Sequence, residues 1–254
     1  MGVTYAAEGP IGTITLDTPP ANSYDLEMVT ELGAAIDAAA ADATSRVVVV
    51  RSASEKFFCA GADIKRFLAN DVEANMEMIR TAHGALNRIA AARKPFVAWI
   101  AGHALGGGLE IALACDLRYA AEGRFRLGTP EVTLGLLPGN GGSQRLPRLI
   151  GRGPALELLL TGRQVSPEEA LRLGLVGGLL ADEEAFAAHV QRLAAGPPVA
   201  LAAIKRCVHE GAERTLEEGL ALERELIEQL FRSEDAAEGL TAFVEKRDPE
   251  FVGA

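Results

Sequence analysis

Two glutamates stand in surroundings that are unusual for carboxylates. Glu110 lies in Leu109-Glu110-Ile111-Ala112-Leu113-Ala114, apolar on both sides, directly after the run Gly106-Gly107-Gly108. Glu131 closes Leu127-Gly128-Thr129-Pro130-Glu131 and is followed by a second glycine-rich turn, Gly135-Leu136-Leu137-Pro138-Gly139-Asn140-Gly141-Gly142. Acidic side chains are rarely buried unless paired, and two of them in glycine-lined, apolar settings are the usual apparatus for one acid and one base. Each also has a plainer reading. An acidic residue in a helix's first turn complements the dipole, and a Pro-Glu pair commonly opens a helix.

The glycine run itself can do chemistry. A strand pattern enters it and a helical pattern leaves it, so unpaired backbone N–H groups collect at the helix N-terminus. Those groups and the dipole favour a negative oxygen, and glycine lets a ligand approach the backbone closely. Close strand–helix packing is by itself the simpler explanation of three glycines, and no GxGxxG nucleotide fingerprint is present. The loop Phe57-Phe58-Cys59-Ala60-Gly61-Ala62-Asp63-Ile64-Lys65 offers further backbone donors as it leaves a buried segment. Within it Asp63 suits a helix N-cap, and Lys65 suits a solvated surface.

Other reactive side chains fit less well. His103 sits at a turn that favours a structural hydrogen bond. Cys59, Cys115 and Cys207 lie far apart with no CxxC and no His and acid beside them, which suits core packing in a reducing compartment. Ser143 lies in Gly-Gly-Ser-Gln, not in a GxSxG elbow. The four histidines, at 83, 103, 189 and 209, are too scattered to suggest a metal site.

The elements that must position these residues follow from periodicity. Residues 3–7 and 11–16 flank Glu8-Gly9-Pro10 and predict a β-hairpin. Leu26, Val29, Leu32 and Ile36 predict a helix over 26–41, and four valines within 46–51 predict a buried strand. A helix over 72–92 ends at Pro95, strands follow over 96–101 and 116–121, and the glycine run opens a short buried helix between them. Residues 66–77 make a mobile-looking stretch. After Gly139 the pattern is helical: 142–150, 154–161, 167–173, 183–194, 198–210, 216–231 and 236–247. Gly196-Pro197-Pro198 marks a switch from a core domain, 1–196, to a helical region, 197–254. The stripe Glu223, Leu226, Ile227 and Leu230 needs a partner surface.

Bulk properties set the class. A chain of 254 residues, 48% hydrophobic and 24% charged, is an ordinary packed α/β protein. Its 35 acidic and 25 basic residues leave a net charge of −10, which argues against nucleic acid as a partner. The N-terminus lacks a signal-peptide pattern, and the longest uncharged stretch, 95–109, is too short for a membrane span. A cytoplasmic location is expected.

Taken in order, these segments resemble the crotonase (enoyl-CoA hydratase/isomerase) superfamily. The resemblance runs from Pro19-Pro20-Ala21-Asn22-Ser23 to Phe243-Val244-Glu245-Lys246-Arg247-Asp248-Pro249. Its most specific pieces are Cys59-Ala60-Gly61-Ala62-Asp63-Ile64-Lys65, Gly102-His103-Ala104-Leu105-Gly106-Gly107-Gly108-Leu109-Glu110, Gly128-Thr129-Pro130-Glu131 and Pro138-Gly139-Asn140-Gly141-Gly142-Ser143-Gln144-Arg145-Leu146. The resemblance implies an α/β fold, a crotonase-like spiral of ββα units with a helical C-terminal region that builds homotrimers or dimers of trimers. It implies reversible hydration of 2-enoyl-CoA, with the backbone N–H groups of Ala62 and Gly107 as oxyanion hole, Glu110 activating water and Glu131 protonating the α-carbon. Ala60, Ala62, Asp63, Ile64, Lys65, Gly107 and Gly139 would line the substrate channel, and Lys56, Lys65 and Arg66 would suit coenzyme A phosphates or a solvated surface equally. Coenzyme A is part of the substrate; no separate cofactor and no metal are implied. An isomerase of the same superfamily and a catalytically idle acyl-CoA-binding protein are the alternatives, and the presence of both glutamates favours the hydratase.

The sequence also departs from the family. Asn140 and Ser143 stand where Ala and Thr are common, and one extra residue falls within 122–127. Tyr24 and Trp99 stand where small residues are usual, which bears on the shape of the acyl pocket.

Overall fold

Runs of aliphatic residues buried on both faces build the centre of the molecule. In the computed structural model, which describes residues 1–254, nine strands form two sheets. The strands are β1 (Gly2–Glu8), β2 (Ile11–Asp17), β3 (Val47–Ser52), β4 (Phe57–Cys59), β5 (Phe96–Ile100), β6 (His103–Leu105), β7 (Leu117–Ala121), β8 (Leu127–Gly128) and β9 (Gly178–Leu180). The larger sheet has the order β1-β2-β3-β5-β7-β9, and a small one has β4-β6-β8. Only the β1–β2 hairpin is antiparallel; every other neighbouring pair is parallel. Parallel strands need crossovers and covered faces, which is why β3 and β5 read as near-continuous apolar runs.

The two faces of the large sheet do different work. Val48 and Val50 of β3 and Phe96, Ala98 and Ile100 of β5 join the main core, while Val47, Val49, Val97 and Trp99 point the other way. The helices are α1 (Leu26–Ala41), α2 (Ile64–Ala69), α3 (Val72–Ala91), α4 (Gly107–Ala114), α5 (Gly142–Ile150), α6 (Arg152–Thr161), α7 (Pro167–Leu173), α8 (Glu183–Ala194), α9 (Pro198–Gly211), α10 (Leu216–Leu230) and α11 (Glu234–Glu245). Helices α1, α3 and α4 cover the main-core face, and Phe186, Val190 and Ala194 of α8 cover the opposite one. Trp99 stacks on Phe186, with ring centroids 4.5 Å apart. It therefore packs on the sheet face away from the glutamates and does not shape a pocket near them.

Several expectations need correction. The segment after β3 is not simply a loop, because Phe57–Cys59 is a strand of the small sheet. Residues 66–77, mobile-looking in sequence, lie mostly in helices: Ile64–Ala69 forms α2, and 72–77 open the expected helix α3. Asp63 caps α2 and Asp71 caps α3, each through its carboxylate. The segment 122–127 bends between β7 and β8, as a turn before the second glutamate should, with Phe125 buried. On α10, Leu222 and Leu226 are buried, whereas Ile227 stays 44% exposed. No helix is long and apolar enough to cross a membrane.

Candidate active site

The glycine run makes close contact in both of the ways its composition allows. Gly106 takes φ +53°, a left-handed turn that lets β6 pass directly into α4. A methyl group on Gly108 would overlap the Cys59 carbonyl, and one on Gly107 would overlap the Tyr24 ring. So strand–helix packing accounts for Gly108. Gly107 is the first residue of α4, where a helix leaves its N–H groups without intrahelical acceptors.

The second expected donor lies alongside. Gly61, at φ +90°, packs against the Leu105 carbonyl and the Gly107 nitrogen so closely that a Cβ would sit 2.9 Å from that carbonyl and 3.3 Å from that nitrogen. This brings the 60–62 segment against the start of α4. The Ala62 N–H donates to no acceptor in the protein, while its neighbours are tied to Tyr24: Tyr24 N donates to Gly61 O at 3.0 Å and Asp63 N to Tyr24 O at 3.0 Å. Two backbone donors from separate segments are thus presented near one place.

Glu110 is on the first turn of α4 and is only 1% exposed. One of its oxygens accepts from the backbone N–H groups of Asn140 at 2.7 Å and Gly142 at 2.6 Å. Burial pushes its carboxyl up to about 7, against those two hydrogen bonds and with help from the negative charge of Glu131. The turn that supplies the donors is itself fastened. Arg145 donates to Asn140 O at 2.9 Å and to Asn87 Oδ1 at 2.7 Å, and His83 Nε2 donates to Gly139 O at 2.6 Å.

Glu131 is placed by a short 3-10 helix, Pro130–Leu134, which Pro130 opens at its first position. The Pro-Glu pair therefore does open a helix, and it also aims the carboxylate at the glycine turn. Its Oε1 faces Gly106, 2.8 Å from where a Cβ would stand, and its Oε2 is buried with no hydrogen-bond partner. Burial raises its carboxyl above the usual range as well. The two carboxylates thus lie close enough to interact and in unlike settings, Glu110 held by two donors and Glu131 by none from another residue.

The remaining expected residues divide. Ala60, Ala62 and Asp63 are half-buried, whereas Ile64 and Lys65 are exposed on α2. The Asp63 carboxylate is spent on capping α2, accepting from Lys65 N at 2.9 Å. Gly139 lies in the fastened turn beside Ile79. His103 Nδ1 accepts from Arg126 N at 3.2 Å, the structural bond its position suggests. Cys59 and Cys115 are free and buried, and burial pushes both thiols up to about 12, which makes neither a nucleophile. No group of three His, Cys, Asp or Glu residues is placed to hold a metal ion.

Sequence reasoning passed over Arg145, and treated Tyr24 and Asn140 only as departures. Asn140 Nδ2 donates to the Tyr24 hydroxyl, and both residues are buried beside Glu110. A polar residue at each of two positions where small apolar ones are usual was the available signal. A cavity of about 890 Å³ opens elsewhere, between α3, α9 and α10 around Arg93, Arg206 and His209, and contains neither glutamate. The chemistry, not cavity size, marks the site.

A buried acid pair beside two backbone donors on a ββα framework defines a class, and comparison with known proteins agrees with it. The enoyl-CoA hydratase/isomerase family model matches residues 6–254, and the chain belongs to that family. It is 43% identical over 249 residues to a probable enoyl-CoA hydratase of Rhizobium meliloti (strain 1021), covering 96% of this chain and 95% of that protein. Among solved structures, an enoyl-CoA hydratase of Geobacillus kaustophilus HTA426 superposes with a TM-score of 0.95 at 41% identity, covering 99% of this chain and 97% of that one. One from Bacillus anthracis gives a TM-score of 0.95 at 37% identity, covering 100% of both chains. The fold is the crotonase fold, the protein is a crotonase-family enzyme, and family membership implies an acyl-CoA substrate.

Proposed function

We propose that the enzyme catalyses the reversible hydration of 2-enoyl-CoA to 3-hydroxyacyl-CoA. Attack of water on the β-carbon moves negative charge onto the thioester oxygen, where the N–H groups of Ala62 and Gly107 stabilise it. One such donor contributes about 3–4 kcal/mol to lowering the barrier. Glu110, as carboxylate, takes a proton from the attacking water. Glu131, as neutral acid, delivers a proton to the α-carbon, so that one water is added in total. Dehydration runs the same steps backwards. Ala60, Asp63, Ile64, Lys65 and Gly139 are assigned to the walls of the channel that receives the coenzyme A part of the substrate.

The observation that carries this division of labour is the unequal treatment of the two acids. Glu110 accepts two backbone N–H groups, which favour its anion and oppose the burial that raises its carboxyl to about 7. Glu131 Oε2 is buried without a donor, which favours the neutral acid. Two interacting buried carboxylates resist double ionisation and burial raises both, so the pair holds one proton, and the two donors on Glu110 assign that proton to Glu131. Double-bond isomerisation needs only one proton carrier, and two placed acids support hydration instead.

The test is a substrate panel. Wild-type enzyme is expected to remove the conjugated absorbance of crotonyl-CoA. Activity confined to 3-enoyl-CoA would select the isomerase, and tight coenzyme A binding without turnover would select an idle binding protein. Apolar side chains left exposed on the last helices and the turn between them, Phe231, Leu240, Phe243 and Val244, support assembly into trimers or dimers of trimers. Sedimentation of the purified protein checks that assembly.

A further inference from the structure

We infer that Tyr24 and Asn140 form a specificity element that recognises a hydrogen-bonding oxygen on the acyl group near its β-carbon. The enzyme then handles short enoyl thioesters carrying a hydroxyl there in preference to plain alkyl ones. This rests on the hydratase reading and adds the chemical class of the acyl group.

Position comes first. The Tyr24 backbone is paired to Ala62, and its ring lies against the Cα of Gly107, so the phenol touches both segments that supply the proposed oxyanion donors. Its hydroxyl receives a hydrogen bond from Asn140 Nδ2, and the backbone N–H of Asn140 goes to Glu110. The pair therefore borders the place where Glu110 would direct water onto the β-carbon. Both side chains are almost fully buried, Tyr24 at 4% and Asn140 at 2% exposure.

The second observation is what the pair leaves unused. Asn140 Oδ1 is buried and has no partner, and the phenol, which accepts from Nδ2, keeps a proton for which the protein supplies no acceptor. Turning the amide over exchanges these roles without removing the surplus: the phenol then donates to Oδ1, and Nδ2 keeps a free N–H. A buried polar atom without a partner carries a desolvation penalty, and a site so equipped discriminates against a ligand that cannot fill the bond. An alkyl chain cannot fill it. A hydroxyl, as both donor and acceptor, fills it in either amide orientation. The attacking water could satisfy the same groups, and the experiment separates the two sources.

The experiment compares kcat/KM for crotonyl-CoA and 4-hydroxycrotonyl-CoA in wild type, Tyr24→Phe and Asn140→Ala. Wild type is expected to favour the hydroxylated thioester by about tenfold or more, a single well-made hydrogen bond's worth. Each variant is expected to bring that ratio towards one. A wild-type ratio near one overturns the inference while leaving hydration intact. A ratio that survives in both variants also overturns it, and a loss shared equally by both substrates assigns the pair to the water instead. Turnover of neither thioester by wild type removes the hydratase reading and this inference together. Because Tyr24→Phe deletes one oxygen and keeps the ring over Gly107, it reports on the hydrogen bond even where Asn140→Ala disturbs the turn.

Discussion

Two buried polar clusters show how this fold separates structure from chemistry. Around Lys205, 7% exposed, every valence is filled: the ammonium donates to Asp116 Oδ2 at 2.8 Å, Ile89 O at 2.6 Å and Lys94 O at 2.8 Å, its full complement of three. Asp116 in turn accepts from Phe96 N at 2.7 Å and from His209 Nε2 at 2.8 Å. Around Glu110 and Glu131 the opposite holds. Of the four buried side-chain oxygens and nitrogens without partners, three belong to Thr129, Glu131 and Asn140. A closed cluster ties α9 to the sheet, and an open one is completed by what it binds.

The comparison can be broken by substitution, beginning with the closed cluster. Lys205→Met strands Asp116 beside α9 and is expected to cost about 3–5 kcal/mol of stability, the cost of breaking a buried pair. Denaturant titration measures it. A loss under about 1 kcal/mol would show that the cluster is not holding α9 in place.

Glu110→Gln is expected to act in the other direction. The folded-state pKa of Glu110 is raised, to about 7, so the native state binds a proton more tightly than the unfolded chain. Its contribution is therefore most favourable below the unfolded carboxyl range, falls as pH rises towards 7, and stays low above it. At pH 8 the neutral glutamine escapes this penalty, and thermal unfolding is expected to show a gain of about 2 kcal/mol. At about pH 4 the gain should vanish. Equal stability of the two proteins at pH 8 would mean that Glu110 is not ionised at a cost.

Thr129→Val is the smallest expected change, within about 1 kcal/mol of neutral, because the hydroxyl removed has no partner to lose. A larger loss would place Thr129 in the closed class.

Much of the fold was legible because helices advertise themselves. Leu26–Ala41 carries its apolar face at helical spacing behind the N-cap Asp25, and Glu183–Ala194 does so behind Asp182. The small sheet was not legible. Phe57–Cys59, His103–Leu105 and Leu127–Gly128 are two or three residues long, too short for alternation to show, and their pairing is set by partners distant in sequence. In the site, the glutamates stood out as acids in apolar runs. The Tyr24–Asn140 contact spans 116 residues, so sequence gave the two side chains but not their meeting. Asp63 was legible as a cap, and a cap is what its carboxylate does.

The hydration rate of crotonyl-CoA in Glu110→Gln and Glu131→Gln tests the central claim most directly. Each isosteric change leaves the cleft filled but removes one proton carrier, and kcat is expected to fall about 10²–10⁴-fold in each variant with the fold retained. An unchanged rate in either folded variant would contradict the acid–base pair.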